Sequence, residues 1–239
     1  MKELCFMQTT SMIILISGNG SNLQAIIDAI AAGKITAKIA AVISNRSNAF
    51  GLVRAQNAGI PTHVLESKNF ANRSAFDAAL QQLIDSYQPD LVILAGFMHI
   101  LASELVQTYN GRMLNIHPSL LPKYRGLHTH IQALQAKDAE HGTTVHFVTE
   151  ELDGGPIIAQ ASLTIKDDDT VESLQTRLQQ LEHQLYPAVI QWFVSGRLLL
   201  QADGVWLDGE RVAANGRVIL SLRTLKQSSR WLNRSKNSN

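Results

Sequence analysis

Short apolar runs that stop at a turn, each followed by an amphipathic stretch, fill the first half of this chain and leave few architectures open. Met12–Ser17 is apolar up to Gly18-Asn19-Gly20, which suits a buried strand entering a turn. Ser21–Ala32 carries Leu23, Ile26, Ile27 and Ile30 at helical spacing and closes at Gly33, a C-cap position. Ile39–Ser44 is the second predicted strand. Phe50–Ala58 is a helix stopped by Gly59-Ile60-Pro61, and Thr62–Leu65 is a short third strand. Asn72 can cap a helix running to Tyr87, with Phe76, Leu80, Leu83 and Ile84 on one face and Pro89 beyond its end. Leu91–Ala95 and Met113–Ile116 continue the series. Strands apolar on both faces that alternate with helices imply a parallel sheet covered on both sides, an α/β fold.

After Ile116 the rhythm changes. Thr143–Val148 and Ile157–Ile165 are separated only by Thr149–Pro156, so they are expected as an antiparallel pair appended to the sheet. Asp169-x-x-Glu172 resembles a capping box that opens a long helix with Leu174, Leu178, Leu181 and Leu185. Pro187 is expected to kink or split that helix near His183–Tyr186. Leu198–Val212, with Asp203-Gly204 at its centre, is predicted as a β-hairpin. The expected organisation is an irregular leader over 1–11, one domain over 12–212, and a basic, poorly ordered tail over 213–239.

Charge placement narrows the function classes. No Asp or Glu follows Glu210, whereas seven Lys or Arg do; the body before that point holds 14 basic and 20 acidic residues, a net of −6. Such a body lacks the basic face that displaces counterions from nucleic acid, so no nucleic-acid partner is expected. Cys5 is the single cysteine, which excludes an intrachain disulfide. No apolar stretch approaches the roughly 18 residues of a bilayer span, and the N-terminal apolar run is too short for a signal core. A cytoplasmic protein with no membrane contact is the expectation; the oligomeric state is left open.

Three polar features stand out from this frame. Gly18-Asn19-Gly20-Ser21-Asn22 lies between the first strand and helix, where open α/β sheets bind ligands and a helix N-terminus attracts anions. It is no dinucleotide fingerprint, because Leu23 takes the third glycine position and Ser44-Asn45-Arg46 offers no carboxylate after the second strand. No Gly-Lys-Ser/Thr follows, so it is no Walker loop either. A small phosphate suits it best. Asn115 and His117 share one side of a predicted buried strand, where an unsatisfied polar group costs of order 1–3 kcal/mol. Glu150-Glu151-Leu152-Asp153-Gly154-Gly155-Pro156 is, alone, only an acidic turn.

Taken together, Gly-Asn-Gly-Ser-Asn, Leu-Ala-Gly-Phe-Met, Asn-Ile-His-Pro-Ser-Leu-Leu-Pro and Glu-Leu-Asp-Gly-Gly-Pro resemble the glycinamide ribonucleotide formyltransferases in order and approximate spacing, from about Met12 to about Arg211. The resemblance implies a single Rossmann-like α/β domain and 10-formyltetrahydrofolate as cosubstrate. It implies Asn115, His117 and Asp153 as the catalytic set. The substrate phosphate would lie on Gly18, Asn19, Gly20, Ser21 and Asn22. Gln179, Gln180, Leu181 and Glu182 would contribute to the ribonucleotide site, with Glu182 on the ribose hydroxyls. Arg73, Met98, His99, Ile100, Leu101, Asn115 and the turn Thr149, Glu150, Glu151, Leu152 and Asp153 would form the folate site. His99 stands where that family usually carries Arg.

In this reading an amine attacks the formyl carbon, and His117 and the Asn115 amide donate to the oxyanion that develops. Asp153 orients His117 and balances its charge. No metal is expected, since the eight histidines are scattered and no thiolates or HExxH support one; His128 and His130 are expected to open the next helix. Methionyl-tRNA formyltransferases share the Asn/His/Asp set but carry a large RNA-binding domain, and the segment after Glu210 falls short of the roughly 50 residues a small domain needs. Formyltetrahydrofolate hydrolases share the set behind a different first loop. A non-catalytic phosphometabolite-binding protein would have no use for all three residues.

Overall fold

The strand β1 (Thr10–Ile16) organises the molecule, and its sequence explains why. In the computed structural model, which describes residues 9–213 and 219–220, β1 lies between β2 (Ala37–Ser44) and β4 (Leu91–Leu94), parallel to both. Side chains alternate across a strand. Met12, Ile14 and Ile16 therefore enter one apolar cluster, and Ile13 and Leu15 enter the other. All five are inaccessible to solvent, and burying each such side chain stabilises by roughly 1.5–3 kcal/mol. The first cluster is roofed by α1 (Ser21–Ala31) and α6 (Val171–Val194). The second is roofed by α3 (Arg73–Ser86), through Phe76, Leu80 and Ile84. Asn72 caps α3, its side chain accepting from the Ala75 N–H at 2.9 Å.

The main sheet has the order β11-β7-β6-β5-β4-β1-β2-β3. Here β3 is Thr62–Val64, β5 Met113–His117, β6 Glu140–Phe147, β7 Ile157–Thr164 and β11 Ile219–Leu220. Strands β1 to β5 run parallel; β6 is antiparallel to β5 and to β7, as expected of an appended antiparallel pair. The helices α2 (Phe50–Asn57), α4 (Ser103–Thr108) and α5 (Thr129–Gln135) complete the set. Among the described residues no helix is long and apolar enough to cross a membrane.

Four expectations are corrected. Strand β1 starts at Thr10, inside the stretch expected to be irregular, because Thr10 and Ser11 still pair with Ala37 and Lys38. The helix α6 is not split at Pro187: it runs unbroken to Val194, since Pro187 forfeits one backbone donor while Leu185, Tyr186, Val189 and Ile190 around it are buried in the core. Its capping box is formed by Thr170 and Ser173, one residue later than Asp169 and Glu172; Asp169 instead receives the Lys166 N–H and pairs with Arg177. The expected hairpin over 198–212 is a three-stranded antiparallel sheet of β8 (Leu198–Gln201), β9 (Gly204–Leu207) and β10 (Glu210–Arg211). Its second turn, Asp208-Gly209, has φ of 55° and 80°, the left-handed pair of a tight hairpin. Within the expected tail, Ile219 and Leu220 pair in parallel with Gln160 and Ala161; the rest of the tail, and most of the expected leader, lies outside the described residues.

Candidate active site

Chain direction across the sheet places a crevice between β1 and β4. From β1 the chain steps outward to β2 and β3; from β4 it steps the other way to β5. At such a switch point the loops leaving the two central strands diverge, and ligands bind between them. Ser17 bridges the gap: its N–H donates to the Gly96 carbonyl (3.0 Å), its hydroxyl donates to Asn45 Oδ1 (2.6 Å), and the same oxygen accepts from the Met98 N–H (2.7 Å).

The glycine loop is shaped by close backbone contact. Gly20, the N-cap of α1, has φ 73° and supplies no side-chain cap, so the first N–H groups of α1 have no side-chain acceptor. The Gly51 N–H donates to the Gly18 carbonyl at 3.1 Å, and a Cβ on Gly20 would stand 2.6 Å from Gly51 Cα. Arg54 clamps the loop from α2: Nε donates to the Asn19 carbonyl (2.9 Å) and Nη2 to Asn19 Oδ1 (3.1 Å). Glu182 reaches this loop from α6. It is buried, which pushes its carboxyl above the usual range, and it accepts from Asn22 Nδ2 at 2.8 Å. Asn22 Oδ1 is buried with no partner. Of the neighbouring residues, Leu181 packs in the core and Gln180 is exposed; neither side chain hydrogen-bonds the loop.

The three remaining polar candidates converge, although Asp153 lies far from the others in sequence. Asn115 and His117 share one side of β5, two residues apart. The loop after β5 folds back, held by Thr144 and Gln160: Thr144 Oγ1 donates to the Ser119 carbonyl (2.6 Å) and Gln160 Nε2 to the Leu121 carbonyl (2.8 Å). That brings the Gly126 N–H to Asp153 Oδ2 (2.9 Å) and the Tyr124 carbonyl to His117 Nε2 (2.8 Å). His117 Nδ1 stands 3.4 Å from Asp153 Oδ2, with both side chains more than nine-tenths buried. Asn115 Nδ2 is 3.4 Å from Asp153 Oδ1. One carboxylate thus gathers a short backbone donor and three longer contacts, to Asn115 and His117 at 3.4 Å and to His146 Nε2 at 3.8 Å. The turn bearing Asp153 (φ 49°) is tied by Gln107 donating to Glu150 and by an Arg125–Glu151 ion pair.

The Met98–Leu101 segment, in the loop after β4, offers an apolar rim. Met98, Ile100 and Leu152 are each about half exposed. Leu101 is partly buried against the second core cluster. Arg73 Nη2 donates to the Ile100 carbonyl at 2.8 Å. His99 turns inward: Nε2 lies 2.6 Å from Asp77 Oδ1, and Asp77 is buried. Thr149 lies partly buried at the start of the turn.

No sequence motif marks His146. It sits on β6 directly across from Asn115, with Nε2 3.1 Å from Asn115 Nδ2. Only the antiparallel register pairs residues 31 positions apart, so no sequence signal could have found the contact. Ser17 and Arg54 escaped for the same reason. His128 is the N-cap of α5 and His130 lies in its first turn, as expected, with His130 Nδ1 3.1 Å from His141 Nε2. Among the described residues no group of three or more His, Cys, Asp or Glu is arranged to hold a metal ion.

Comparison with known proteins agrees with this layout. The profile of the formyl transferase family matches residues 10–190. A phosphoribosylglycinamide formyltransferase of Escherichia coli (strain K12) is 55% identical over 206 residues, covering 86% of this chain and 97% of that protein. The trifunctional purine biosynthetic protein adenosine-3 of Homo sapiens is 46% identical over 199 residues, 82% of this chain but 20% of the larger protein. Among solved structures, a phosphoribosylglycinamide formyltransferase from Coxiella burnetii superposes with a TM-score of 0.85 at 52% identity, covering 89% of this chain and all of that one. A match that begins at β1, runs into α6 and holds in both sequence and backbone leaves no room for coincidence of fold: the chain belongs to the formyl transferase family.

Proposed function

We propose that this formyltransferase moves the formyl group of 10-formyltetrahydrofolate to the amine of glycinamide ribonucleotide, giving formylglycinamide ribonucleotide and tetrahydrofolate. The observation that carries the reading is the convergence of Asn115 and His117 on Asp153. The glycinamide nitrogen attacks the formyl carbon and charge develops on the formyl oxygen. The bond from that carbon to N10 of the donor then breaks, as a proton passes from the amine to N10.

The two 3.4 Å contacts to Asp153 are the donors free to turn toward that oxygen, being at the weak end of hydrogen bonding. A preorganised donor of this kind contributes about 10²–10³ in rate. Asp153 balances the charge on His117 while the Gly126 N–H holds the carboxylate in place. The substrate phosphate sits on the α1 N-terminus with Gly18, Asn19, Gly20, Ser21 and Asn22 around it. Glu182 accepts from the ribose hydroxyls, which can also meet the unpartnered Asn22 Oδ1. The donor's flat ring system lies against Met98, Ile100 and Leu152, with peptide groups of Thr149, Glu150 and Glu151 within the same turn. Arg73 places a cation near its carboxylates. His99, committed to Asp77, leaves the backbone of its segment to make the contacts. A single-cysteine chain of this kind fits the cytoplasm.

The test is formyl transfer from 10-formyltetrahydrofolate to glycinamide ribonucleotide, with initiator methionyl-tRNA and water as competing acceptors. Release of tetrahydrofolate matched to formylated ribonucleotide is expected. Turnover with water or the tRNA instead would replace this reading by one of its rivals.

A further inference from the structure

We propose that His146 is a positioning residue that fixes which way the Asn115 amide faces, so that Asn115 presents an N–H and not a carbonyl to the reacting formyl group. The proposal rests on the formyl-transfer reading and adds a residue to its machinery. It starts from a backbone carbonyl. His146 Nδ1 lies 2.9 Å from the Phe147 carbonyl, which can only accept, so Nδ1 carries the ring hydrogen. Nε2 of the neutral ring is then a lone pair. The neutral ring is the form that burial favours: His146 is 2% exposed, and burial moves its pKa below the usual histidine value.

A lone pair at Nε2 decides the orientation of Asn115. Across the β5–β6 pair the amide group stands 3.1 Å from Nε2, and only its NH2 can satisfy that contact; the carbonyl would set two acceptors against each other. Asp153 Oδ1, also an acceptor, favours the same orientation at the longer distance of 3.4 Å. The shorter contact to His146 consumes one hydrogen of Asn115 and leaves the other on the weaker Asp153 contact, from which it can be redirected. Without His146 the amide can rotate by half a turn and present an acceptor, repelling the oxygen it is meant to stabilise.

A satisfied core histidine would show the same burial, so the test separates the roles. His146→Leu keeps much of the volume and has no acceptor; His146→Gln keeps an acceptor near the present Nε2. We expect His146→Leu to lower kcat about 10- to 100-fold, within the effect of losing one oxyanion donor. Both KM values should hold within about threefold, and His146→Gln should restore most of kcat. In an Asn115→Ala background, His146→Leu should cost less than about threefold, because nothing remains to orient. Equal losses in both backgrounds would overturn the proposal, as would a Gln variant no better than Leu. Should the variants not fold, nitrogen-15 shifts of the wild-type ring decide: a hydrogen on Nδ1 is expected, and a hydrogen on Nε2 overturns it. That measurement needs no turnover, so a chain that failed to formylate glycinamide ribonucleotide would still answer it.

Discussion

The glycine loop and the Asn115–His117–Asp153 cluster face one crevice but are built on opposite principles. The loop works by having no side chains: Gly20 and Gly51 approach so closely that one added carbon collides with backbone, and the donors it offers are peptide N–H groups. The cluster works through three side chains, the buried, titratable His117 and Asp153 and the half-buried Asn115, each placed by a partner on another element. The first therefore fails by addition and the second by deletion. The donors of the first are peptide groups that do not titrate, whereas the second carries ionisable side chains.

The largest effect that can break this contrast is expected at Asp153. Asp153→Asn keeps the shape and removes the charge, and kcat should fall on the order of 10³-fold with little change in ribonucleotide KM. His117→Asn should be comparable, and the double variant little worse than the poorer single one, as for groups acting as a unit. Additive losses in steady-state kinetics would dissolve the cluster into independent parts. Next in size, Gly20→Val forces a β-branched side chain into a left-handed conformation against Gly51, and should raise ribonucleotide KM about 100-fold while leaving folate KM within about threefold. Inorganic phosphate should compete with the ribonucleotide only. If both substrates weaken equally, the loop is not a separate anion site.

Arg54→Leu tests whether the loop needs its clamp. Losing charge-assisted hydrogen bonds to Asn19 should raise ribonucleotide KM about 10-fold with kcat unchanged. The pH contrast is smaller. Burial lowers the His141 pKa to about 4, with His130 facing its ring and Asp138 opposing the shift. A histidine depressed on folding gives stability that is present above its unfolded pKa near 6.5 and is lost as pH falls toward 4, because the unfolded chain takes up the proton first. The melting temperature should decline over that window, and His141→Gln should flatten the decline; an unchanged slope would remove His141 from the account. The smallest effect is expected on removing residues 221–239, where kcat/KM should stay within about a factor of two.

Much of the layout was legible because its signals are local. Apolar runs gave the strands, Asn72 gave a helix start, and glycine-bounded turns gave the loop. What failed was ambiguous or non-local. Asp169 and Thr170 are both cap-type residues, as Glu172 and Ser173 are both box partners, and only the fold chose the later pair. Pro187 was outvoted by the core around it. Asp208-Gly209 is a strong turn signal overlooked because Asp203-Gly204 nearby already supplied one. In the site, Asn115 and His117 were visible as a polar pair on an apolar strand, but spacing alone left Asp153 a turn residue; its role came through the family resemblance. His146 and Arg54 carry no mark at all until β6 and α2 are placed.

One consequence of β1 concerns how the molecule comes apart. Its two faces belong to different apolar clusters and both its edges are bonded, so it is a shared wall between the two layers. Opening either layer exposes half of the same strand, which couples the two into one cooperative unit. Its amide hydrogens should exchange with solvent only when the whole domain unfolds, and so last. The glycine turn is mounted directly on the end of that strand, and its geometry is guarded by the full stability of the domain.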